Sequence, residues 1–301
     1  MLKNVCIKIL ALISLFSSAF SVQAQVSETL KIISYNIWNG FEHQATRKDK
    51  FSDWIRKEQP DIVALQELVD FNTKDLKELA KVYGHRYAIL LKEKGYPVGI
   101  SSRYPITLIK AQVDGFWHGM LHVKIKNVDF IVTHLSPFSW KYRTGEAKQI
   151  VEYIKNNHLD NCIILGDLNA YSPMDAIWLE NKKALRNNLL NWDQEHPEYG
   201  NMLGQRFDYS VLSTFIAAGF DDCIGRTVFP ENKRVSFPTA TLYGWNWGDG
   251  RLADVSERLD YILLSEALSP FVRRVEVHNG PELEGISDHY PVSVVIDQLE
   301  K

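Results

Sequence analysis

Short apolar runs that stop abruptly at polar residues divide the chain, and each run predicts a buried strand. In the clearest case, apolar residues 162–165 are followed by Gly166, Asp167 and Asn169. A run of this length that ends in glycine fits a strand buried on both faces, after which the backbone bends. Alternate residues of an extended backbone point to the same side, so Asp167 and Asn169 are expected to lie together at a sheet edge. An Asx-type turn that closes the strand explains the same residues equally well.

The same reading predicts further strands and helices. Strands are expected at residues 30–36, 61–67, 86–91, 98–101, 106–113, 120–125, 128–133, 258–264, 271–277 and 292–296. Apolar residues recur at helical spacing in residues 45–58, 72–82 and 143–157. No clear pattern emerges between about residues 178 and 209.

The order of these elements indicates the fold class. Strict alternation of strands and helices would favour a parallel sheet, but here helices interrupt runs of adjacent strands. We therefore predict an α/β protein in which two packed sheets are covered on their outer faces by helices. Because the sequence shows no repeat, low-complexity linker or break in composition, residues 25–301 are expected to form one domain.

Residues 1–24 resemble a cleavable export signal. Lys3 and Lys8 supply positive charge, residues 9–20 are mostly apolar, and Val22–Gln23–Ala24 offers small residues before a cut at Gln25. The apolar segment is too short to span a bilayer comfortably, so a membrane anchor is less favoured. No second segment of this kind follows, and we expect an exported protein, periplasmic or secreted, without a transmembrane segment in the mature chain.

Charge and cysteine content narrow the class of partner. The net charge of the chain is −3 and becomes about −5 when Lys3 and Lys8 are removed with the leader. A protein that binds polynucleotide mainly by neutralising phosphates usually has a basic excess, so a nucleic-acid partner is possible but not favoured. Cys162 and Cys223 are too few for a disulfide scaffold, and their pairing stays open. We expect a monomer.

Residues suited to holding a metal ion, a proton or a phosphate stand at the ends of the predicted strands. They are Asn36, Glu67, His134, Asp167 with Asn169, Asp260, and Asp288 with His289. Each one alone has an ordinary explanation, such as a turn former or, for Asp260, an ion pair with Arg258. Their joint occurrence at strand ends indicates a common site.

With these residues in place, the chain resembles a known superfamily. The matching segments are Ser34–Tyr35–Asn36, Leu65–Gln66–Glu67, Ser102–Arg103–Tyr104–Pro105, Thr133–His134, Gly166–Asp167–Leu168–Asn169, Arg258–Leu259–Asp260–Tyr261 and Ser287–Asp288–His289. They resemble, in order, the motifs of the endonuclease/exonuclease/phosphatase superfamily, which includes type I deoxyribonucleases, abasic-site endonucleases, inositol polyphosphate 5-phosphatases and neutral sphingomyelinases. The resemblance implies a four-layer α/β/β/α sandwich and a metal-dependent phosphoric ester hydrolase.

The resemblance also implies a metal site. Glu67 would bind the divalent cation, with Asn36 beside it and Asp288 contributing directly or through water. An all-oxygen set of carboxylates and amides suits Mg²⁺ or Mn²⁺. The sequence has no cluster of cysteine and histidine at zinc-finger spacing, so a structural zinc site is not expected.

Catalytic roles follow from the same resemblance. Asp167 would orient or deprotonate the attacking water, and Asn169 would steady it. Asp260 would hold His289 by one ring nitrogen and favour its charged form. His134 would donate a hydrogen bond to a phosphoryl oxygen or protonate the leaving alkoxide. Whether Asp167 or His289 is the formal base stays open, and the implied reaction is in-line attack of water on phosphorus.

His134 narrows the branch of the superfamily. Abasic-site endonucleases carry a different residue in the corresponding loop, whereas deoxyribonucleases and sphingomyelinases carry histidine. The segment Thr133–His134–Leu135 therefore resembles the latter two groups more closely.

The substrate must be inferred from the loops between the motifs. One aromatic loop covers residues 237–248, in which Trp245 and Trp247 are expected to bind the substrate, as is Arg103. A second loop contains Phe116–Trp117–His118, with Phe138 and Trp140 nearby. Such rings stack on bases or sugars, insert into a lipid interface, or simply pack on one another.

The acidic charge and the aromatic loops favour a phosphodiester of a lipid-, inositol- or sugar-linked substrate. A secreted deoxyribonuclease-like endonuclease is the second interpretation. A third, from another class, is a non-catalytic binding protein that keeps the fold. The presence of a competent side chain at each expected catalytic position argues against the third.

Overall fold

The computed structural model describes residues 29–240 and 251–298. The strands in this part of the chain are β1 (Thr29–Asn36), β2 (Ile62–Gln66), β3 (Tyr87–Leu90), β4 (Gly99–Ser102), β5 (Ile106–Gln112), β6 (Met120–Ile125), β7 (Val128–His134), β8 (Cys162–Asp167), β9 (Met202–Leu203), β10 (Arg206–Phe207), β11 (Phe220–Asp221), β12 (Asp260–Ser265), β13 (Val272–Val277) and β14 (Val292–Asp297). The helices are α1 (Trp38–Phe41), α2 (Ala45–Glu58), α3 (Thr73–Val82), α4 (Trp140–Asn156), α5 (Ala176–Glu180), α6 (Lys183–Glu195), α7 (Ser210–Ala217), α8 (Cys223–Thr227) and α9 (Leu252–Val255). Short 3-10 helices occur at Pro173–Asp175, Glu231–Arg234, Ser269–Phe271 and Pro281–Leu283.

The predicted elements are present, with differences at their ends. Helix α2 has the predicted bounds, whereas α4 begins three residues before the predicted Arg143. The reason is a contact distant in sequence, because the Trp140 amide donates to the Gly200 carbonyl at 2.9 Å. The stretch between residues 178 and 209, which has no readable pattern, contains α6 and the β9–β10 hairpin.

Two six-stranded sheets dominate the structure. The first sheet has the strand order β13-β14-β1-β2-β4-β3, and the second has the order β11-β12-β8-β7-β6-β5. Within them, β1 pairs with β2 in parallel and β7 pairs with β8 in parallel, while the other pairs are antiparallel. The carboxyl ends of each parallel pair therefore lie at one edge of their sheet.

The alternation of side chains along the strands produces four layers. In β8, Ile163 and Leu165 point into the core between the two sheets, whereas Cys162 and Ile164 point outward and pack with residues of α4 and α7. On the outer face of the first sheet, α2 and α3 contribute buried residues such as Phe51 and Leu76. The predicted α/β/β/α sandwich is confirmed.

The register of the second sheet aligns three of the predicted site residues. His134 at the end of β7 lies opposite Asp167 at the end of β8, and Asp260 at the start of β12 lies opposite Asp167 on the other side. Because β12 runs antiparallel to β8, its first residue reaches the edge where β8 ends. Backbone pairing alone thus places these three side chains in adjacent positions.

The cysteines and the hydropathy of the helices can be compared with the sequence-based expectations. Cys162 and Cys223 are both free and buried, so they do not pair. None of the helices in residues 29–240 and 251–298 is long and apolar enough to cross a membrane. The expected leader, residues 1–24, and Trp245 and Trp247 lie outside the described residues.

Gly166 is required where β8 approaches β7. Its φ is +144°, and a Cβ at this position would lie 1.8 Å from the Thr133 carbonyl oxygen. We expect Gly166→Ala to lower the free energy of unfolding by about 3 kcal/mol or more, because the cost of the strained φ and the cost of the steric overlap add.

Gly145→Ala is the matched control, since a Cβ there, in the interior of α4, meets no atom within 4 Å. It should stabilise the protein by up to about 1 kcal/mol. Denaturant unfolding measures the free energy of unfolding of both variants. Equal effects of the two substitutions would contradict the requirement for glycine at position 166.

Candidate active site

The Asp260–His289 pair forms one side of a buried pocket at the edge where β8 ends. His289, three residues before β14, places Nδ1 2.8 Å from Asp260 Oδ2. Burial opposes the charged imidazolium, but neighbouring carboxylates, that of Asp260 first, raise the pKa of His289 well above its usual value. The His289 ring is therefore held in its charged form, and its contact with Asp260 fixes the orientation of the ring.

Asp167 occupies the centre of the pocket. Its Oδ2 lies 3.4 Å from His134 Nε2 and 3.7 Å from His289 Nε2, and its Oδ1 accepts a hydrogen bond from the Asn169 amide at 3.0 Å. Burial raises the pKa of Asp167 to about 8, despite the opposing charge of His289. This carboxyl group can therefore hold or release a proton near neutral pH.

Asn36 connects this group to the first sheet. Its Nδ2 donates to Asp167 Oδ2 at 3.0 Å and to Glu67 Oε1 at 3.1 Å. Its Oδ1 accepts from the Trp38 amide at 3.0 Å, which fixes the orientation of the side-chain amide. Glu67 has a positive φ of 59°, and its Oε2 accepts from the Asn39 amide at 2.8 Å.

Asp288 lies against the same group through Ser287. The Ser287 hydroxyl lies 2.7 Å from the Asn36 carbonyl oxygen and 3.1 Å from Asp288 Oδ1. Burial, and then the like charge of Glu67, raise the pKa of Asp288 to about 7. The two carboxylates thus repel one another.

These residues fit a divalent cation. The like charge of Glu67 raises the pKa of Asp288 against the opposing charge of His289, and a cation bound by the two carboxylates would relieve that repulsion. Ligand atoms of Asp167, Asp260 and His289 also lie within 4.8 Å of one another. A charged imidazole has no free lone pair for a metal, however, so this second group is the poorer cation site.

His134 ends β7 and lies directly opposite Asp167 in the neighbouring strand β8. Burial lowers the pKa of His134 well below its ordinary value, and the neighbouring His118 and His289 lower it further. Its ring is therefore neutral, and its buried Nδ1 has no hydrogen-bond partner among the described residues. The same is true of Asp260 Oδ1.

The structure brings together the predicted catalytic and metal-binding residues whose positions it describes. Asn169 has a positive φ of 48° and donates from Nδ2 to the Leu135 carbonyl at 3.1 Å, which holds it beside the loop that follows His134. Asp260 does not pair with Arg258, whose guanidinium instead binds Asp175 and Asp222.

Arg103 is the predicted site residue that the structure places elsewhere. It follows β4, which runs antiparallel to β2, so that Ser102 lies beside Ile62 at the start of β2. The Arg103 amide donates to the Asp61 carbonyl at 3.0 Å, at the far edge of the sheet from Glu67. The expectation that Arg103 binds the substrate at this site is therefore corrected.

The second aromatic loop packs partly on itself. The Trp117 and Phe138 rings lie 5.2 Å apart, and Phe138 stacks on Tyr199 at 4.6 Å. Trp117 nevertheless keeps 42% of its surface exposed. In the other aromatic loop, Phe237 contacts the His289 ring at 4.7 Å.

Two supporting residues escaped the sequence analysis. Ser236 Oγ accepts from the Leu259 and Asp260 amides at 3.0 and 3.1 Å and so positions the start of β12. His118, noted only as part of an aromatic loop, stacks on His134 with ring centroids 4.2 Å apart. A lone serine carries no readable signal, whereas a histidine directly before a glycine and a strand could have been considered.

The two-sheet fold and this pocket of carboxylates, amides and imidazoles are those of a metal-dependent phosphoric ester hydrolase. The chain belongs to the Endonuclease/Exonuclease/phosphatase family, because the sequence model of that family matches residues 33–289.

Comparisons with individual proteins agree with this assignment. The chain is 27% identical over 291 residues to an exodeoxyribonuclease of Bacillus subtilis (strain 168), a match that covers 89% of this chain and 100% of that protein. It is 25% identical over 280 residues to a DNA-(apurinic or apyrimidinic site) endonuclease of Dictyostelium discoideum, covering 89% and 71% of the two chains. An AP endonuclease from Archaeoglobus fulgidus shares the fold with a TM-score of 0.67 at 19% identity, covering 89% and 100%. A 3' phosphatase from Neisseria shares it with a TM-score of 0.62 at 18% identity, with the same coverage.

The buried ionisable groups predict how stability varies with pH. Four carboxyl groups, Asp167, Asp288, Glu146 and Glu257, have a pKa raised to about 7 or 8, with burial as the first cause. Above pH 6.5 they still bind protons in the folded state and not in the unfolded state, and His289 behaves in the same way. These groups therefore make stability fall as pH rises through this range.

We expect the free energy of unfolding of the metal-free protein to fall by on the order of 2 kcal/mol between pH 6.5 and 8.5. Mg²⁺ should reduce this loss because a cation favours ionised carboxylates. Thermal unfolding with EDTA and with MgCl₂ measures both effects, and Asp167→Asn should flatten the pH dependence. A stability that stays constant or rises over this range in EDTA would contradict the prediction.

Proposed function

We propose that the protein is an exported, metal-dependent phosphodiesterase that acts on a compact phosphodiester. The observation that carries the catalytic part is the contact of Asn36 with both Glu67 and Asp167, which joins a cation-binding group to an acid–base group in one pocket. Such a pair of groups is what hydrolysis of a phosphate ester requires. Export is supported by residues 1–24 of the sequence.

Glu67 and Asp288 would hold Mg²⁺ or Mn²⁺, since carboxylate oxygens are ligands that these ions prefer. Asn36 would lie beside the cation, with its Nδ2 directed at Glu67. When bound, the cation offsets negative charge on the phosphate and on the leaving oxygen. The repulsion between the two carboxylates supports this placement over the group that includes charged His289.

Asp167 is the residue that takes the proton of the attacking water in this proposal. His289 is held charged by Asp260 and so is a poor base, whereas its charge suits a phosphoryl oxygen. Asp167 has a pKa near 8 in the metal-free pocket, and its Oδ1 is oriented by the Asn169 amide. The charge on His289 and the Asn36 amide both favour its ionised form.

His134 donates a hydrogen bond to the substrate in this proposal. Its neutral imidazole carries one N–H, and Nδ1 lacks a partner within the described part of the chain. It can therefore serve a second phosphoryl oxygen or the leaving oxygen without adding charge.

The substrate class rests on charge and on the loops around the pocket. A mature chain with a net charge near −5 is poorly suited to following a long polyanion. A lipid-, inositol- or sugar-linked diester needs only the pocket and adjacent rings such as Trp117. A nuclease is the second candidate, and the names of the similar proteins from Bacillus subtilis and Dictyostelium discoideum favour it.

Turnover tests the catalytic proposal. Asp167→Asn and His289→Ala should each lower kcat on bis(p-nitrophenyl) phosphate by about 10²-fold to 10⁴-fold, because each removes a group that acts on the proton or on phosphate charge. EDTA should abolish turnover, and Mg²⁺ or Mn²⁺ should restore it.

The matched controls are Asp160→Asn and His158→Ala, exposed residues that precede the opposite end of β8. They should retain the wild-type rate. Full activity of folded Asp167→Asn would contradict the proposal, and metal-dependent ligand binding without turnover by the wild type would favour the non-catalytic alternative.

A substrate panel tests the preference for a compact diester. Sphingomyelin, glycerophosphoinositol and bis(p-nitrophenyl) phosphate should be hydrolysed with a higher kcat/KM than plasmid DNA at about 150 mM salt. Nicking of plasmid DNA at low salt that vanishes at moderate salt, together with no turnover of the small diesters, would instead establish the nuclease.

A further inference from the structure

A second group of side chains borders the pocket on the side of His134. The His118 ring lies between the His134 ring, at 4.2 Å, and the Tyr96 ring, at 5.3 Å. Lys92 lies in the same loop as Tyr96, between β3 and β4. Its positive charge lowers the pKa of both His118 and His134, so it acts on this part of the pocket.

Two loops from different sheets are held together here. A Cβ at Gly119, which has a φ of +116°, would lie 2.4 Å from Leu91 Cδ2, so the loop that carries His118 packs directly on Leu91, the residue before Lys92. On its other side, buried Glu146 accepts hydrogen bonds from the Trp117 amide at 2.7 Å and the Ser136 amide at 2.9 Å. The group that borders His134 is therefore built into the fold.

The chemistry of this group is that of an anion site with a stacking surface. Lys92 is half-buried and forms no salt bridge with any residue in 29–240 or 251–298. His118 is only 6% exposed, and no side-chain hydrogen bond of its ring occurs among those residues. Tyr96, in contrast, is 42% exposed and offers a ring face. A partly desolvated ammonium beside an unused imidazole attracts a phosphate more strongly than a fully solvated lysine does.

We propose that Lys92, His118 and Tyr96 bind a second phosphate group of the substrate, next to the one that is hydrolysed. Lys92 and His118 contact the phosphate oxygens, and Tyr96 packs against the sugar or ring that links the two phosphates. This assignment rests on the proposed phosphodiesterase function and restricts it, because the preferred substrate then carries a phosphate monoester on the group attached to the scissile diester.

Binding tests the site without turnover. In EDTA, calorimetry should show thymidine 3',5'-bisphosphate binding about tenfold more tightly than thymidine 5'-phosphate, since one additional charge-assisted contact contributes this much. Lys92→Gln should reduce the ratio to near one. Lys94→Gln, an exposed neighbour in the same loop, is the matched control and should keep the wild-type ratio.

Turnover provides the second measurement. The p-nitrophenyl ester of thymidine 5'-phosphate should gain about tenfold in kcat/KM, mainly through KM, when a 3'-phosphate is added. Glycerophosphoinositol, with and without a 4-phosphate, distinguishes an inositol source of the second phosphate from a nucleotide source. His118→Ala should reduce the gain while the protein keeps its unfolding temperature within a few degrees.

The outcomes separate the two proposals. Equal binding of the mono- and bisphosphate by the wild type would overturn the second phosphate site, as would a Lys92→Gln ratio equal to that of Lys94→Gln. The proposed function would be overturned if neither the two nucleotide diesters nor the two inositol diesters were hydrolysed. The ratio of bisphosphate to monophosphate binding would still decide whether the second phosphate site exists.

Discussion

The active site depends on one amide group. Because the Asn36 side chain carries two N–H donors, it can bind Glu67 at the end of the first sheet and Asp167 at the end of the second at once. Its oxygen is fixed by the Trp38 amide, so the amide cannot rotate to exchange donor for acceptor. Asn36 and Asp167 are 131 positions apart in the chain. The Asn36 amide therefore holds the cation-binding carboxylate of Glu67 on one side and the proton-handling carboxyl group of Asp167 on the other.

Burial and the neighbouring charges shift the pKa values of the groups in the pocket in different directions. Burial keeps His134 neutral and raises the pKa of Asp167, while the carboxylates around His289 overcome burial and keep that ring charged. The neutral His134 ring and the charged His289 ring therefore both lie within 4 Å of the Asp167 carboxyl group, which titrates near neutral pH. Environments that drive neighbouring pKa values apart are typical of acid–base catalysis.

Arg103 shows where inference from the sequence fails. Its segment was one of those that resemble the family, and it follows a strand as Glu67 does. The two strands run antiparallel, however, so their carboxyl ends lie at opposite edges of the sheet. Strand direction comes from pairing between distant segments, and no local pattern around Arg103 reports it.

The sequence by itself determined the elements, the four-layer class and the site residues at strand ends, since apolar periodicity and the residue that stops each run are local properties. Tertiary structure alone decided which of those ends share an edge, that burial keeps His134 neutral, and that His118, Tyr96 and Lys92 border His134. Each of these depends on packing between two sheets and on the burial that it creates, and the register of distant strands sets both.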